Sequence, residues 1–200
     1  MQYIDANQGE KPVNSYVVLI RGINVGGNNK VPMAALRQVL ETLGFSSVTT
    51  YIASGNVILK SDKPAEEIKV QIEAALPEKF ILAGERIRVL VLTRMQFQAV
   101  VNQKPEGFGE EPDKFHSDVI FLMGIDSAQA MLVFDPREGV DQVWAGQGVI
   151  YSERLSARRT QSRLSKIIGT AAYKSMTIRN WNTTTALLAL LKRTDADGIR

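Results

Sequence analysis

The residues best suited to hold a ligand lie in one short segment, residues 21–30, which contains three glycines, three asparagines and two cations. The segment connects an apolar run, Tyr16 to Ile20, to a helical pattern that begins at Pro32. Such a loop can direct backbone N–H groups towards an anion at the positive end of a helix. The candidate ligand-binding residues here are Arg21, Gly22, Asn24, Gly26, Gly27, Asn28 and Lys30.

The same composition also has a purely structural interpretation. Glycines adopt positive φ values at little cost, and asparagines cap helices and form turns. Two well-known nucleotide loops do not match the segment. A Walker loop needs a hydroxyl residue after its lysine, but Val31 follows Lys30 here, and the glycines do not fit G-x-G-x-x-G. A nucleotide ligand would therefore have to bind by another mechanism.

A second set of candidates lies in a predicted hairpin. The β-rich segments Val48 to Ile52 and Val57 to Lys60 surround a turn that supplies Ser54, Gly55 and Asn56. In a split βαβ sheet, the loop after the first strand and this turn lie at the same end, two strand widths or roughly 10 Å apart. We therefore expect the two polar loops to converge, as loops do in many small-ligand sites.

A third set of candidates, Arg179, Asn180, Trp181 and Asn182, precedes the last helical pattern. Either asparagine can cap that helix. An arginine beside an exposed indole suits stacking or phosphate contact. A tryptophan at the start of a helix is more often part of the core, so the sequence leaves both interpretations of Trp181 open.

Charge is distributed unevenly along the chain. Residues 154–179 contain seven cations and no acid, although the net charge of the protein is only +3. Arginines among serines and threonines suit contact with a phosphate backbone, and a solvated helix face explains them equally well. His116 lies near Asp113 and Asp118, but the sequence has no second histidine, so we predict no metal site.

The composition excludes several classes of protein. The chain of 200 residues is 44% hydrophobic and 22% charged, which is typical of a globular protein. It has no cysteine, which rules out disulfides, thiolate zinc sites and a cysteine nucleophile, and its one histidine leaves few options for a general base. We find no signal peptide and no apolar run of membrane-spanning length, so we expect a cytoplasmic protein with no membrane partner and no cofactor.

The elements repeat in the order β-α-β-β-α-β, which is the ferredoxin-like signature. The second round is predicted as the strand 118–123, the helix 127–134, a hairpin over 141–152, the helix 160–168 and the strand 175–178, followed by a terminal helix over 182–191. The predicted fold class is thus α+β, with two tandem ferredoxin-like halves and a C-terminal helix. The expected organisation is a flexible tail (1–14), the first half (15–102), a linker (103–116) and the second half (117–200).

The chain resembles the domain-of-unknown-function 1697 family. The family pattern, roughly L-R-G-I-N-V-G-G-x-N-x-V-P-M, L-G-F, T-Y-x-x-S-G-N-V and T-x-R-N-W-N-T, is met at 21–30, 32–45, 51–57 and 177–183. The resemblance covers Tyr16 to Leu191 and implies a cytoplasmic protein of two ferredoxin-like halves, without implying an activity. It is weaker at 152–162, where relatives tend to carry a glycine-containing turn and a lysine.

Three hypotheses of function follow. The first is a binding module for a phosphate-bearing ligand, a nucleotide or nucleic acid, centred on residues 21–30. The second is a small metal-independent enzyme acting on an anionic substrate, for which Ser54 is the one serine worth testing; no catalytic constellation is recognisable, so we lean against it. The third is a structural or partner-binding protein. The sequence does not define an oligomeric state.

Overall fold

The computed structural model describes residues 12–83 and 87–197, so most of the predicted N-terminal tail, residues 1–11, lies outside the described part of the chain. The first half follows the predicted order of elements. Its elements are β1 (Asn14–Arg21), α1 (Met33–Thr42), β2 (Ser46–Tyr51), β3 (Asn56–Ser61), α2 (Ala65–Lys79), β4 (Arg88–Thr93) and α3 (Arg94–Asn102).

The second half repeats this order with one difference. Its elements are β5 (Phe115–Leu122), α4 (Ser127–Met131), β6 (Asp141–Gly146), β7 (Val149–Leu155), three 3₁₀ helices (Ser156–Gln161, Leu164–Gly169 and Ala171–Ser175), β8 (Met176–Asn180) and α5 (Trp181–Asp197). Each half forms a four-stranded antiparallel sheet, with the orders β2-β3-β1-β4 and β6-β7-β5-β8. The predicted fold class is therefore confirmed.

The prediction of one continuous helix over residues 160–168 was wrong, because parts of two separate 3₁₀ helices occupy this region. Ser162 and Thr170 have extended backbones and separate the 3₁₀ helices. The Ser162 hydroxyl accepts the N–H of Leu164 at 3.3 Å, and the Thr170 hydroxyl accepts the N–H of Tyr173 at 3.3 Å. Serine and threonine side chains compete with the backbone hydrogen bonds of an α-helix. The periodicity of the apolar residues gives no information about this competition.

β1 is apolar on both faces because each face meets a different core. Val18 and Ile20 pack into the outer core of the first half, under α1 and α2, whereas Val17 and Leu19 face a central core that includes residues of both halves. α3 and α5 contribute Phe97, Leu187 and other residues to this central core. The two sheets therefore share one apolar layer, and the halves are held together by burial as well as by polar contacts.

The segment before β5 contributes to the same central layer. Phe108 is fully buried and makes edge-to-face contacts with Trp144, Tyr151 and Trp181. His116, which the sequence analysis placed at the end of a linker, lies within β5.

Candidate functional site: the Gly/Asn loop and the seam between the halves

The loop between β1 and α1, residues 22–31 (the Gly/Asn loop), is held from within by two of its asparagines. The Asn24 side chain accepts the N–H of Val31 at 2.8 Å and donates to the Val31 carbonyl at 2.9 Å. The Asn29 side chain donates to the Gly22 carbonyl at 2.8 Å and accepts the N–H of Ala83 at 2.7 Å. Both residues have positive φ, which asparagine tolerates better than most residues. Asn24 therefore fixes the shape of the loop, and so does Asn29, which was not among our candidates.

The outer part of the loop is open to solvent. Gly26 and Gly27 are exposed with φ values of 58° and 82°, and no atom lies within 4 Å of the position that a Cβ would take on either residue. Asn28 and Lys30 are exposed beside them. α1 follows this loop and starts without a side-chain cap at Pro32. The loop thus combines exposed backbone with a cation and leads directly into an uncapped helix start.

The turn of the β2–β3 hairpin lies against the end of β1, at the base of the Gly/Asn loop. The N–H of Ile20, at the end of β1, donates to the Gly55 carbonyl at 2.7 Å. Gly55 has a φ of 74°, and a Cβ there would lie 2.6 Å from the Ile20 carbonyl oxygen. Asn56 is fully buried, and its amide donates to the Tyr51 carbonyl at 3.1 Å and to the Ser54 hydroxyl at 2.9 Å. The hairpin residues thus pack against the end of β1.

Arg179, in β8, joins this hairpin to the second half of the protein. Its Nε donates to Asn56 Oδ1, and its Nη2 donates to the carbonyls of Ile20 at 3.2 Å and Gly55 at 3.5 Å. Its Nη1 is bound within β8, to the Thr177 hydroxyl at 2.9 Å and the Ile178 carbonyl at 2.8 Å. Burial lowers the pKa of Arg179 to about 10. The side chain is fully used in the interior and acts as a bridge between the halves.

Two more arginines cross the seam beside the Gly/Asn loop. Arg21 and Arg88 are direct neighbours in the β1–β4 register. Arg21 donates to the Met176 carbonyl at 2.7 Å and lies 4.6 Å from the ring centre of Tyr173. Arg88 donates to the carbonyls of Lys174 at 2.6 Å and Met123 at 2.9 Å. The register places the two positive charges together at this edge. The hydrogen bonds described for both side chains end on neutral oxygens.

The sequence analysis did not single out Arg88 or Tyr173. Arg88 is the first residue of a strand that is otherwise almost entirely apolar, and this pattern gave no sign that the side chain would cross to the other half. Its position opposite Arg21 follows from the register of β1 and β4, which a single sequence does not define. Tyr173 lies between the helix predicted over 160–168 and the strand predicted over 175–178, and its ring meets Arg21 only through the packing of the two halves.

Among the candidates at the start of α5, Asn180 caps the helix and Trp181 belongs to the core. The Asn180 side chain accepts the N–H of Asn182 at 2.9 Å, as expected for a capping residue. Trp181 is only 9% exposed, and its indole packs on Phe108 and so closely on Gly109 that a Cβ there would lie 2.2 Å from the ring. The core interpretation of Trp181 thus fits the structure. A polar pocket of about 100 Å³ lies beside these residues and His116.

Four cations of β7 and the 3₁₀ region are directed towards acids or carbonyls of their own half: Arg154, Arg158, Arg163 and Lys166. Arg163 and Lys166 pair with Asp135 at 3.0 and 3.3 Å, and Arg154 lies 3.6 Å from Asp118. Arg158 donates to the Gly139 carbonyl at 3.4 Å. Partial neutralisation makes this group of cations a weaker candidate for phosphate contact than Arg21, Arg88 and Lys30.

His116 pairs with Asp118, one of the two acids near it in the sequence, across 3.2 Å. Burial raises the pKa of Asp118, against the opposing effects of His116 and Arg154. Within residues 12–83 and 87–197, no group of three or more histidine or acidic side chains is arranged to hold a metal ion. The two side chains form a polar contact along β5.

The fold and the seam define an α+β protein built from two ferredoxin-like halves that share a central core. The chain belongs to the DUF1697 family, a family of proteins of unknown function whose model matches residues 13–151. The solved structure of the conserved bacterial protein SP0830 from Streptococcus pneumoniae is similar, with 25% identity and a TM-score of 0.73; the match covers 90% of this chain and 99% of that chain. A comparison with curated proteins finds no match. Among the helices of the described residues, none has both the length and the apolar character needed to cross a bilayer.

Proposed function

We propose that this protein is a cytoplasmic binding module for a phosphate-bearing ligand, a nucleotide or a nucleic acid, and that the Gly/Asn loop is the centre of its site. The observation that carries the proposal is the exposed backbone of Gly26 and Gly27, which Asn24 and Asn29 hold in place from the base of the loop. Backbone N–H groups that are fixed before binding hold an anion at a low entropic cost.

Charge near the loop supports an anionic ligand. Lys30 is exposed next to the glycines, and Arg21 and Arg88 lie at the adjoining edge of the sheet with bonds to neutral oxygens. Like charges directly opposite each other in a sheet are unfavourable, and a nearby anion relieves that repulsion. The start of α1, which lacks a side-chain cap, adds the positive end of a helix to the same region.

Within the proposal, the predicted site residues have two different roles. Gly26, Gly27, Asn28 and Lys30 contact the ligand. The other candidates have a structural role, because they hold the loop, the hairpin and the second half in position. They are Arg21, Gly22, Asn24, Ser54, Gly55, Asn56 and Arg179.

The proposal is tested by fluorescence anisotropy with labelled single-stranded RNA, single-stranded DNA and a labelled nucleoside triphosphate, at low and physiological salt. The test variant is Asn28→Asp with Lys30→Gln, which lowers the charge at the exposed tip. The control is Asn102→Asp with Lys192→Gln, which makes the same charge change at exposed positions on α3 and α5.

We expect saturable binding of at least one probe, with an affinity that falls by roughly 0.7 logarithmic units per phosphate contacted on a single strand for each tenfold rise in salt concentration. The loop variant should lose this binding and the control should keep it. The proposal is contradicted if no probe binds at low salt, or if both variants lose affinity equally, since the second result would indicate a diffuse effect of net charge.

A further inference from the structure

A cleft lies between the two halves and is chemically unlike the Gly/Asn loop. It is a cleft of about 370 Å³ between β4 and α3 of the first half and β5 and the β6–β7 hairpin of the second. Leu90, Leu92 and Val100 line one wall, and Phe121 and Val149 line the other. Clefts of this volume at the junction of two structural units are common sites for small molecules.

The lining of the cleft carries no charge. All thirteen lining residues belong to the described part of the chain, and they are apolar residues, glutamines, a glycine and a tyrosine. An ionised ligand entering this cleft would lose hydration without gaining a charged partner, which is costly. A neutral molecule with an apolar body loses little hydration and gains contact with both walls.

The polar groups of the cleft restrict how such a molecule would be oriented. The Tyr151 hydroxyl donates to the Val100 carbonyl at 2.7 Å, so its proton is already used. Gln96 Oε1 accepts from the Thr93 N–H at 2.9 Å and from the Thr93 hydroxyl at 3.1 Å. This capping interaction fixes the carboxamide and leaves its Nε2 group as a donor for a ligand.

The mouth of the cleft includes an apolar side chain exposed to solvent. Met95, in the first turn of α3, is 80% exposed. Methionine is flexible and polarizable, and it adapts its shape to a bound apolar surface. A ligand bound in the cleft would cover the Met95 side chain and remove it from water. Packing within the protein leaves this side chain exposed.

We propose that this cleft binds a neutral, largely apolar small molecule that carries a carbonyl-type oxygen, with Gln96 Nε2 as the donor to that oxygen. The site is independent of the Gly/Asn loop and takes a ligand of opposite character. It adds a second binding activity to the protein, whatever the outcome of the experiments on anions.

The test uses two probes of matched shape, 2-acetylnaphthalene and 2-naphthoate. Both have the same ring system, but the first is a neutral ketone and the second is an anion at neutral pH. The protein is labelled with ¹³C at its methionine methyl groups, and the spectrum is recorded during titration. Met33, which packs against the outer core of the first half, is the internal reference.

We expect the Met95 methyl signal to shift saturably with 2-acetylnaphthalene while the Met33 signal stays in place. The naphthoate should bind at least about tenfold more weakly, a difference of 1.4 kcal/mol or more. The proposal is overturned if the Met95 signal is unmoved by the ketone, or if the two probes bind with equal affinity.

A blocking variant locates the site. Ala99→Trp fills the cleft from α3 and should abolish the shift of the Met95 signal, whereas Ala74→Trp, on an exposed position of α2, should leave it unchanged. If circular dichroism shows that Ala99→Trp is unfolded, Gln103→Trp at the exposed end of α3 replaces it. Ketone binding that persists in a folded blocking variant would refute the assignment of the site.

Discussion

At the scale of single residues, the least conventional feature is a buried arginine whose described hydrogen bonds all end on neutral groups. Arg179 spreads its bonds over a side-chain amide, a hydroxyl and three carbonyls. The planar guanidinium has five N–H donors in a fixed fork, so one side chain can hold β1, the β2–β3 turn and β8 together. A buried cation of this kind stabilises the protein only while each of its donors is satisfied.

Replacing Arg179 with lysine should therefore destabilise the protein although the charge is kept. Lysine has three donors on one atom and cannot reach the same set of oxygens, so we expect a loss of about 2–4 kcal/mol in the free energy of unfolding. Urea denaturation measures it, with Arg159→Lys at an exposed position as the control. Equal midpoints for both variants would show that the network is not required.

Asp141 provides a prediction about pH. Burial favours its neutral form, but hydrogen bonds from the N–H of Arg163, the Ser162 hydroxyl and the N–H of Arg137 outweigh this effect and lower its pKa below 3.8. A lowered carboxyl pKa stabilises the folded state at pH values above 3.8, and this contribution disappears as pH falls through the folded pKa.

Asp141→Asn should consequently lower the stability by about 1–2 kcal/mol at neutral pH, and the difference from the unmodified protein should shrink below pH 3.8. Thermal unfolding of both proteins across this range measures the effect. A difference that stays constant with pH would mean that the carboxylate charge has no part in holding the 3₁₀ region.

At the scale of elements, two glycines with similar φ values occupy different surroundings. Gly55 (φ 74°) lies against the Ile20 carbonyl, and Gly27 (φ 82°) has open space around it. Gly55→Ala should cost at least about 2 kcal/mol because it adds a clash to backbone strain, whereas Gly27→Ala should cost about 1 kcal/mol from strain alone. Chemical denaturation of the two variants compares them directly, and equal losses would contradict the packing described for the β2–β3 turn.

Sequence patterns predicted most of the elements but not the partners of their polar residues. Pro32 marks the start of α1, and the turn at Ser54 to Asn56 marks the first hairpin, because these signals are local. The 3₁₀ region was missed because serine and threonine side chains outcompete a periodic apolar pattern there. The contact between Asn56 and Arg179 spans 123 positions and follows from the packing of the two halves, which no local signal specifies.

At the scale of the whole molecule, the two halves are joined by a shared apolar layer and by three arginines that cross the seam. This arrangement leaves two different surfaces on the outside. One is the charged and glycine-rich tip of the Gly/Asn loop, and the other is the uncharged cleft beside α3. Arg21 and Arg88 belong to the same half as the Gly/Asn loop, and their bonds to carbonyls of the second half hold both side chains at the seam.

The central claim, that the Gly/Asn loop binds phosphate groups, is tested most directly by ¹⁵N NMR with inorganic pyrophosphate as the ligand. We expect the backbone amide signals of Gly26 and Gly27 to shift saturably, because their N–H groups would donate to the phosphate oxygens, whereas the N–H of Asn28 already donates to the Val25 carbonyl at 3.0 Å. The amide of Gly148, an exposed glycine with positive φ in the other hairpin, should not move. Unchanged loop signals at saturating pyrophosphate, or equal shifts at Gly27 and Gly148, would contradict the claim.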